Sequence, residues 1–473
     1  MQVFHPTTYS TSPPPATADQ DPMSSARTLG DVEQTWCRAV SCGTGSTVLT
    51  LQMGKPESKL PLLHQVLKKL LHSHPLLRSK LHYNPSSKSF SFLPPSSSSS
   101  PPLPIITHDI PTTAALLSTS DLPPCHLITE HELNHTQWRH PSSFPCYVIH
   151  AAFYALSESQ SIVAVRLHAS VCDRTTAESI LREMMELVVE AEGGRKFAGA
   201  ENGGEGRAGI EAMVPRGAGK KTLWAHGVDM LGYSVGSLRL SNLKFKNTKA
   251  ARYSEVVRLK MDTHQTALVL AGCKSRGIKL CGALAAAGLI AAHSTSGKLT
   301  KKYGVVTLID TRSLLHPSLS TNHFGYYQLA ILNTHTINGG EELWDLAERS
   351  YSQFARDKKN KTHFSDMADL SFLMRRAMEN PSLTASSSLR TSLISIFEDP
   401  VIDNTREMKR EIGVEDYIGC SSTHGVGPSV AIFDTIRNGE LDCACVYPAP
   451  LHSRDQMVQL IAHMKKILVD GSY

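Results

Sequence analysis

One histidine and one carboxylate stand five residues apart in Leu167-His168-Ala169-Ser170-Val171-Cys172-Asp173-Arg174. Imidazole titrates near neutrality, so His168 is of a type that takes or gives a proton at working pH. If the strand continues through Ala169, neighbouring side chains alternate between faces and His168 points away from the Ala169 side. If the strand has ended, His168 is free to swing in. Other histidines in promising settings are His424, in the glycine-rich Thr423-His424-Gly425-Val426-Gly427, and His323, in Asn322-His323-Phe324-Gly325. His131-Glu132-Leu133-Asn134-His135 spells a zinc-hydrolase signature, which needs both imidazoles on one helical face and the glutamate as base. Pro123-Pro124 and Pro141 box that segment in, and no second helix offers an obvious third ligand. Gly217-Ala218-Gly219-Lys220-Lys221-Thr222 hints at a phosphate loop, but it lacks the first glycine at the required spacing and follows no strand.

The elements that must position these residues follow from hydrophobic periodicity. Tyr147 to Leu156 and Ser161 to Leu167 read as two strands around a polar turn, and the second runs straight into His168 to Arg174. Thr175 to Val189 reads as an amphipathic helix with Ala177, Ile180, Leu181, Met184, Leu187 and Val188 on one side. Upstream, Pro61 to Leu71 has helical spacing, Pro75 ends that helix, and Ser86 to Pro104 reads as a solvated loop. Downstream come a strand over Glu255 to Met261, helices over Thr263 to Lys274 and Leu280 to His293, and a strand over Gly304 to Ile309 that leads to Arg312. Asn438-Gly439 between two apolar runs predicts a hairpin, and Ser453 to Leu468 predicts a last helix.

A chain of 473 residues exceeds one small core. We divide it into a disordered tail (1–29), an N-terminal domain (30–192), a crossover linker (193–250) and a C-terminal domain (251–473). The net charge of +5 is small, and no basic stripe interleaved with aromatics points to nucleic acid. The ten cysteines include no CxxC pair and read as buried thiols of a reducing compartment. No apolar run reaches the ~18 residues of a membrane span, and the first 29 residues lack the apolar core of a secretory signal. A cytoplasmic monomer is the expectation.

Leu167 to Arg174 resembles the His-His-x-x-x-Asp-Gly signature of the CoA-dependent acyltransferase superfamily, which includes condensation domains and alcohol acyltransferases. With Asp173 on the family's Asp, His168 falls on the first His, Ala169 on the second (the catalytic base) and Arg174 on the Gly. Further landmarks recur in the family's order. His74-Pro75-Leu76-Leu77-Arg78 is similar to an early His-Pro-x-Leu-Arg, and the strand carrying Arg312, Asn322 to Gly325, the hairpin with Tyr447 and the final helix follow. The plant branch's Asp-Phe-Gly-Trp-Gly is absent, with Gly419 to Pro428 in roughly its place.

The resemblance implies an α/β fold of two chloramphenicol-acetyltransferase-like domains, each a mixed sheet flanked by helices, with a tunnel between them. It implies a structural salt bridge between Asp173 and Arg312. It places Ala169, Arg174, Asn322, His323, Gly325 and Gly425 at or near substrate, and leaves His168 and His424 as candidate bases. It implies acyl-CoA as co-substrate with no tightly bound cofactor or metal, and a small-molecule acyl donor and acceptor as partners. Three functions remain open: acyl transfer to an alcohol or amine, a lapsed fold that binds a ligand or partner, and a zinc hydrolase.

Overall fold

Alternating apolar residues build the first sheet around the signature. In the computed structural model, which describes residues 26–54, 59–93, 103–139, 145–193, 208–218, 240–294, 300–384 and 387–472, Gln160–His168 is a central strand. It lies between Thr44–Gly54 and Ile149–Ala155, antiparallel to both. Ile105–His108 adds a parallel edge strand beside Ile149–Ala155. The helix Arg174–Ala191 follows the signature directly and packs against the helix Lys59–Ser73.

The second half carries a larger mixed sheet in the order Gln328–Ile337, Lys301–Asp310, Arg390–Phe397, Gly427–Arg437, Glu440–Ala449, Tyr253–Met261. Val401–Asp403 pairs beside Gly427–Arg437. Asn438 and Gly439 make the tight turn with φ of 51° and 84°, a conformation that Asn and Gly tolerate best. The helix Leu280–Ser294, rich in alanine and leucine, is buried against this sheet. No single helix among the described residues is long and apolar enough to cross a membrane; Leu280–Ser294 and its neighbour Thr263–Ser275 meet at 106°.

Val414–Thr423, which belongs to the second half in sequence, pairs antiparallel with Thr44–Gly54 in the first sheet. Two expectations need correction. Ser86 to Pro104 is not all loop: Ser89–Leu93 is a strand paired with Lys80–Asn84, and Phe90 and Phe92 are buried. Arg27–Thr28, expected in a disordered tail, is a strand that pairs with Phe92 and Ser91. Positions 1–25 and the phosphate-loop-like residues 219–222 lie outside the described residues.

Candidate active site

A partly open cavity of about 410 Å³ lies between the two halves. Its walls combine Ala169, Cys172, Asp173 and Arg174 of the signature with Gln328, Ser395, Phe397 and Phe433 from the second sheet. One helical stripe, Arg174, Ala177, Glu178, Leu181, Arg182 and Met185, forms a long wall, because positions three and four apart share a helix face. Val401 to Thr405 and Met408–Lys409 form the other rim.

Asp173 holds the signature loop. Its carboxylate accepts Arg312 Nη1 at 2.9 Å and Nη2 at 3.0 Å, the Tyr327 backbone N–H at 2.8 Å and the Thr176 N–H at 2.8 Å. The last of these caps the helix N-terminus. The Arg312 guanidinium also reaches Asp310 Oδ1 at 3.0 Å, Thr176 Oγ1 at 2.8 Å and the His323 carbonyl at 3.3 Å. Burial opposes its charge, but the Asp173 and Asp310 carboxylates outweigh that and raise its pKa.

Arg174, where the family has Gly, spans the cleft. It forms an ion pair with the buried Asp434 at 3.0 Å, donates to the Asp399 and Asp434 carbonyls and lies over the Phe397 ring at 4.1 Å. Ala169 sits against Gly45 and Trp36: a Cβ on Gly45 would lie 3.0 Å from both side chains. Trp36 thus borders the cavity beside the position of the family's base.

Neither His168 nor His424 is among the cavity's lining residues. The strand ends at His168, which pairs with Ser46, and Ala169 begins a turn; the ring nevertheless packs on Trp138 and not into the cavity. It is fully buried, edge-on to Trp138 with centroids 5.2 Å apart. Its Nδ1 accepts the Ser170 backbone N–H at 3.1 Å, which leaves the ring proton on Nε2. His424 is clamped between Ser254, 2.9 Å from Nδ1, and Arg139, which donates to Nε2. Of the other family-implied positions, Asn322 accepts from Arg182 at 3.0 Å, and the Gly325 carbonyl accepts Thr176 Oγ1 at 2.9 Å. The His323 ring lies 5.7 Å from Tyr327. A Cβ on Gly425 would sit 2.5 Å from the Cys42 carbonyl. Asn322, His323, Gly325 and Gly425 brace the loops around the cavity and do not line it.

Burial holds His150, His168, His424 and His452 each down to about 3. A depressed histidine favours folding only while neutral. This contribution is full above the ordinary value of 6.5 and is lost as pH falls toward 3, by up to about 1.4 kcal/mol per pH unit per ring. The thermal midpoint is therefore expected to drop steeply between about pH 6.5 and 5; a flat profile there contradicts the burial of these rings.

The zinc signature does not assemble. The helix Pro124–Leu133 ends before His135, so the two imidazoles do not share a helical face. Glu132 is buried, with Arg166 Nε at 2.7 Å and the Tyr154 hydroxyl also donating to it. No group of three or more metal-ligating side chains occurs among the described residues.

Sequence reasoning missed Glu178, which lines the cavity half-buried and has no hydrogen-bond or ion-pair partner among the described residues. Burial raises its pKa, against the pull of Arg174 and Arg182. The other rim carboxylate, Asp403, is engaged: despite burial, Lys409, Tyr417 and Thr405 hold it down at about 2.

No family model matches the chain, and no curated protein matches it by sequence. Solved structures do match its fold over nearly its whole length. Trichothecene 15-O-acetyltransferase from Fusarium sporotrichioides superposes with a TM-score of 0.69 at 11% identity, covering 94% of each chain. Polyketide synthase associated protein 5 from Mycobacterium tuberculosis gives 0.64 at 15% identity, covering 94% of this chain and 98% of its own. The first condensation domain of the calcium-dependent antibiotic synthetase gives 0.62 at 12% identity, covering 95% and 98%. The chain has the two-domain α/β architecture of condensation domains and acyltransferases.

Proposed function

We propose that the protein transfers an acyl group from an acyl-CoA to an alcohol or amine held in the cavity, with Glu178 as proton acceptor where the family uses imidazole. The observation that carries this reading is a half-buried carboxylate, without a hydrogen-bond or ion-pair partner among the described residues, in the same cavity as Ala169 and the signature loop. A carboxylate whose pKa is raised by burial is a better base than a solvated one. In the step, the acceptor O–H or N–H attacks the thioester carbonyl carbon and its proton passes to Glu178. The C–S bond then breaks, and the departing thiolate takes that proton back, leaving ester or amide plus free thiol.

A second reading is binding without turnover, favoured by the lack of any imidazole among the described lining residues. Incubation with short-chain acyl-CoAs and a panel of alcohols and amines, following free thiol, separates the two. Acceptor-dependent thiol release supports transfer; CoA binding without release supports the second reading. His168→Ala and His424→Ala are expected to leave the rate per folded molecule within about twofold of the parent, whereas removal of a true general base costs about 10²–10⁴-fold. A loss of that size in either variant returns the base role to histidine.

A further inference from the structure

Among the described residues the buried arginines other than Arg390 are paired with carboxylates, Arg166 with Glu132 at 2.7 Å and Arg312 with Asp173 at 2.9 Å, and so are the more exposed Arg174, with Asp434 at 3.0 Å, and Arg258, with Asp416 at 2.5 Å. Around His424 that pattern breaks. Arg390 is 3% exposed and gives its guanidinium N–H groups only to carbonyls, those of Ser388 at 3.1 Å, Thr423 at 3.0 Å, Pro428 at 2.5 Å and Gly425. Half-buried Arg252 donates to the same Ser388 carbonyl at 2.5 Å, which brings two guanidiniums onto one oxygen. Half-buried Arg139 donates to His424 Nε2. None of the three has a carboxylate within ion-pair distance among the described residues, and all three lie within electrostatic reach of His424. The C-terminus of the helix Asp31–Ser41 approaches here, with the Gly43 carbonyl 3.3 Å from the Gly425 N–H. Its partial negative charge offsets only part of three full positive charges.

We propose that Arg139, Arg252 and Arg390 form an anion site on the His424 flank of the cavity, taking a phosphate or pyrophosphate group. Thr423 and Pro428, whose carbonyls Arg390 holds, line the cavity, so Arg390 lies directly behind its wall, although none of the three guanidiniums is itself among the lining residues. Arg139 and Arg252, the two half-buried members, supply the accessible donors, and Arg390 supplies charge from behind. Guanidinium forks suit phosphate oxygens, and three cations suit a multiply charged group better than a single carboxylate. The burial and like-charge crowding that lower the pKa of Arg390 to about 9 are relieved by a bound anion. Assigning that anion to one end of the cavity's thioester ligand rests on the function proposed above; the binding of phosphate itself does not.

Titration calorimetry with inorganic phosphate, pyrophosphate, CoA and a phosphate-free N-acetylcysteamine thioester tests the site on the intact chain. Pyrophosphate and CoA are expected to bind, and Arg252→Gln and Arg139→Gln each to weaken both roughly tenfold or more, with the phosphate-free thioester unaffected. If a Gln variant fails to fold, the matching Lys variant is used, with loss of the bidentate fork as the expected change. Pyrophosphate binding without CoA binding supports the site and counts against the thioester ligand. CoA binding that ignores both substitutions overturns the site and leaves acyl transfer standing. No binding of any phosphate overturns the site.

Discussion

Asp173→Ala is expected to destabilise the fold by about 3–5 kcal/mol, because it strands the Arg312 guanidinium in the interior. The Asp173 side chain is fully buried and Arg312 is 2% exposed, so water does not replace the lost partner. The Tyr327 N–H loses its acceptor in the same substitution, and the helix Arg174–Ala191 loses its cap. Asp310, at 3.0 Å, keeps a fraction of Arg312's pairing, which argues for the lower part of the range. Asp173→Asn separates charge from shape: it can still accept from Thr176 but gives up the ion pair. Arg312→Met combined with Asp173→Asn is expected to recover stability relative to either single change, as removing both charges relieves the unpaired one. Thermal and denaturant unfolding of the set measure this. A midpoint within a degree of the parent for Asp173→Ala contradicts the bridge as described.

Glu178→Gln is expected to lower acceptor-dependent thiol release by about 10²–10⁴-fold, the usual contribution of a positioned proton acceptor. The same change should leave the thermal midpoint unchanged or higher. Burial raises the Glu178 pKa, so the fold prefers its protonated form, and ionising it above that pKa subtracts stability. The parent's rate should therefore climb with pH through a point above the ordinary glutamate value of about 4.3, and the variant should lose that limb. A purely structural Glu178 gives neither the rate loss nor the altered pH profile. An unchanged rate assigns proton removal elsewhere or points to binding without turnover.

Elements whose pattern is local were legible from residues alone. The strand into His168, the helix after Asp173 and the Asn438-Gly439 hairpin follow from alternation, helical spacing and turn chemistry. Ser89–Leu93 escaped because serine and proline dominate the tract, and the alternating Phe90 and Phe92 were too few to outweigh them. The placement of Val414–Thr423 escaped for a different reason. Its neighbour in the sheet lies more than 350 residues earlier, and no local pattern encodes that choice. Within the site, the direction of His168 depended on whether the strand ran one residue further, which a period-two pattern leaves open at its end. Glu178 had a signal that was not used. The stripe 174, 177, 178, 181, 182, 185 is one helix face, and it sets the charged Arg174, Glu178 and Arg182 at the edge of the apolar stripe, beside Ala177 and Leu181.

The strand Val414–Thr423 also constrains how this protein comes into being. Thr44–Gly54 lacks one neighbour until residue 423 of 473 has left the ribosome. Through most of synthesis it is an apolar margin with unsatisfied amides, the kind of surface that recruits foreign chains. A product truncated before residue 414 keeps that margin unpaired, so nonsense lesions upstream of this strand are expected to yield aggregation-prone chains rather than a working N-terminal half.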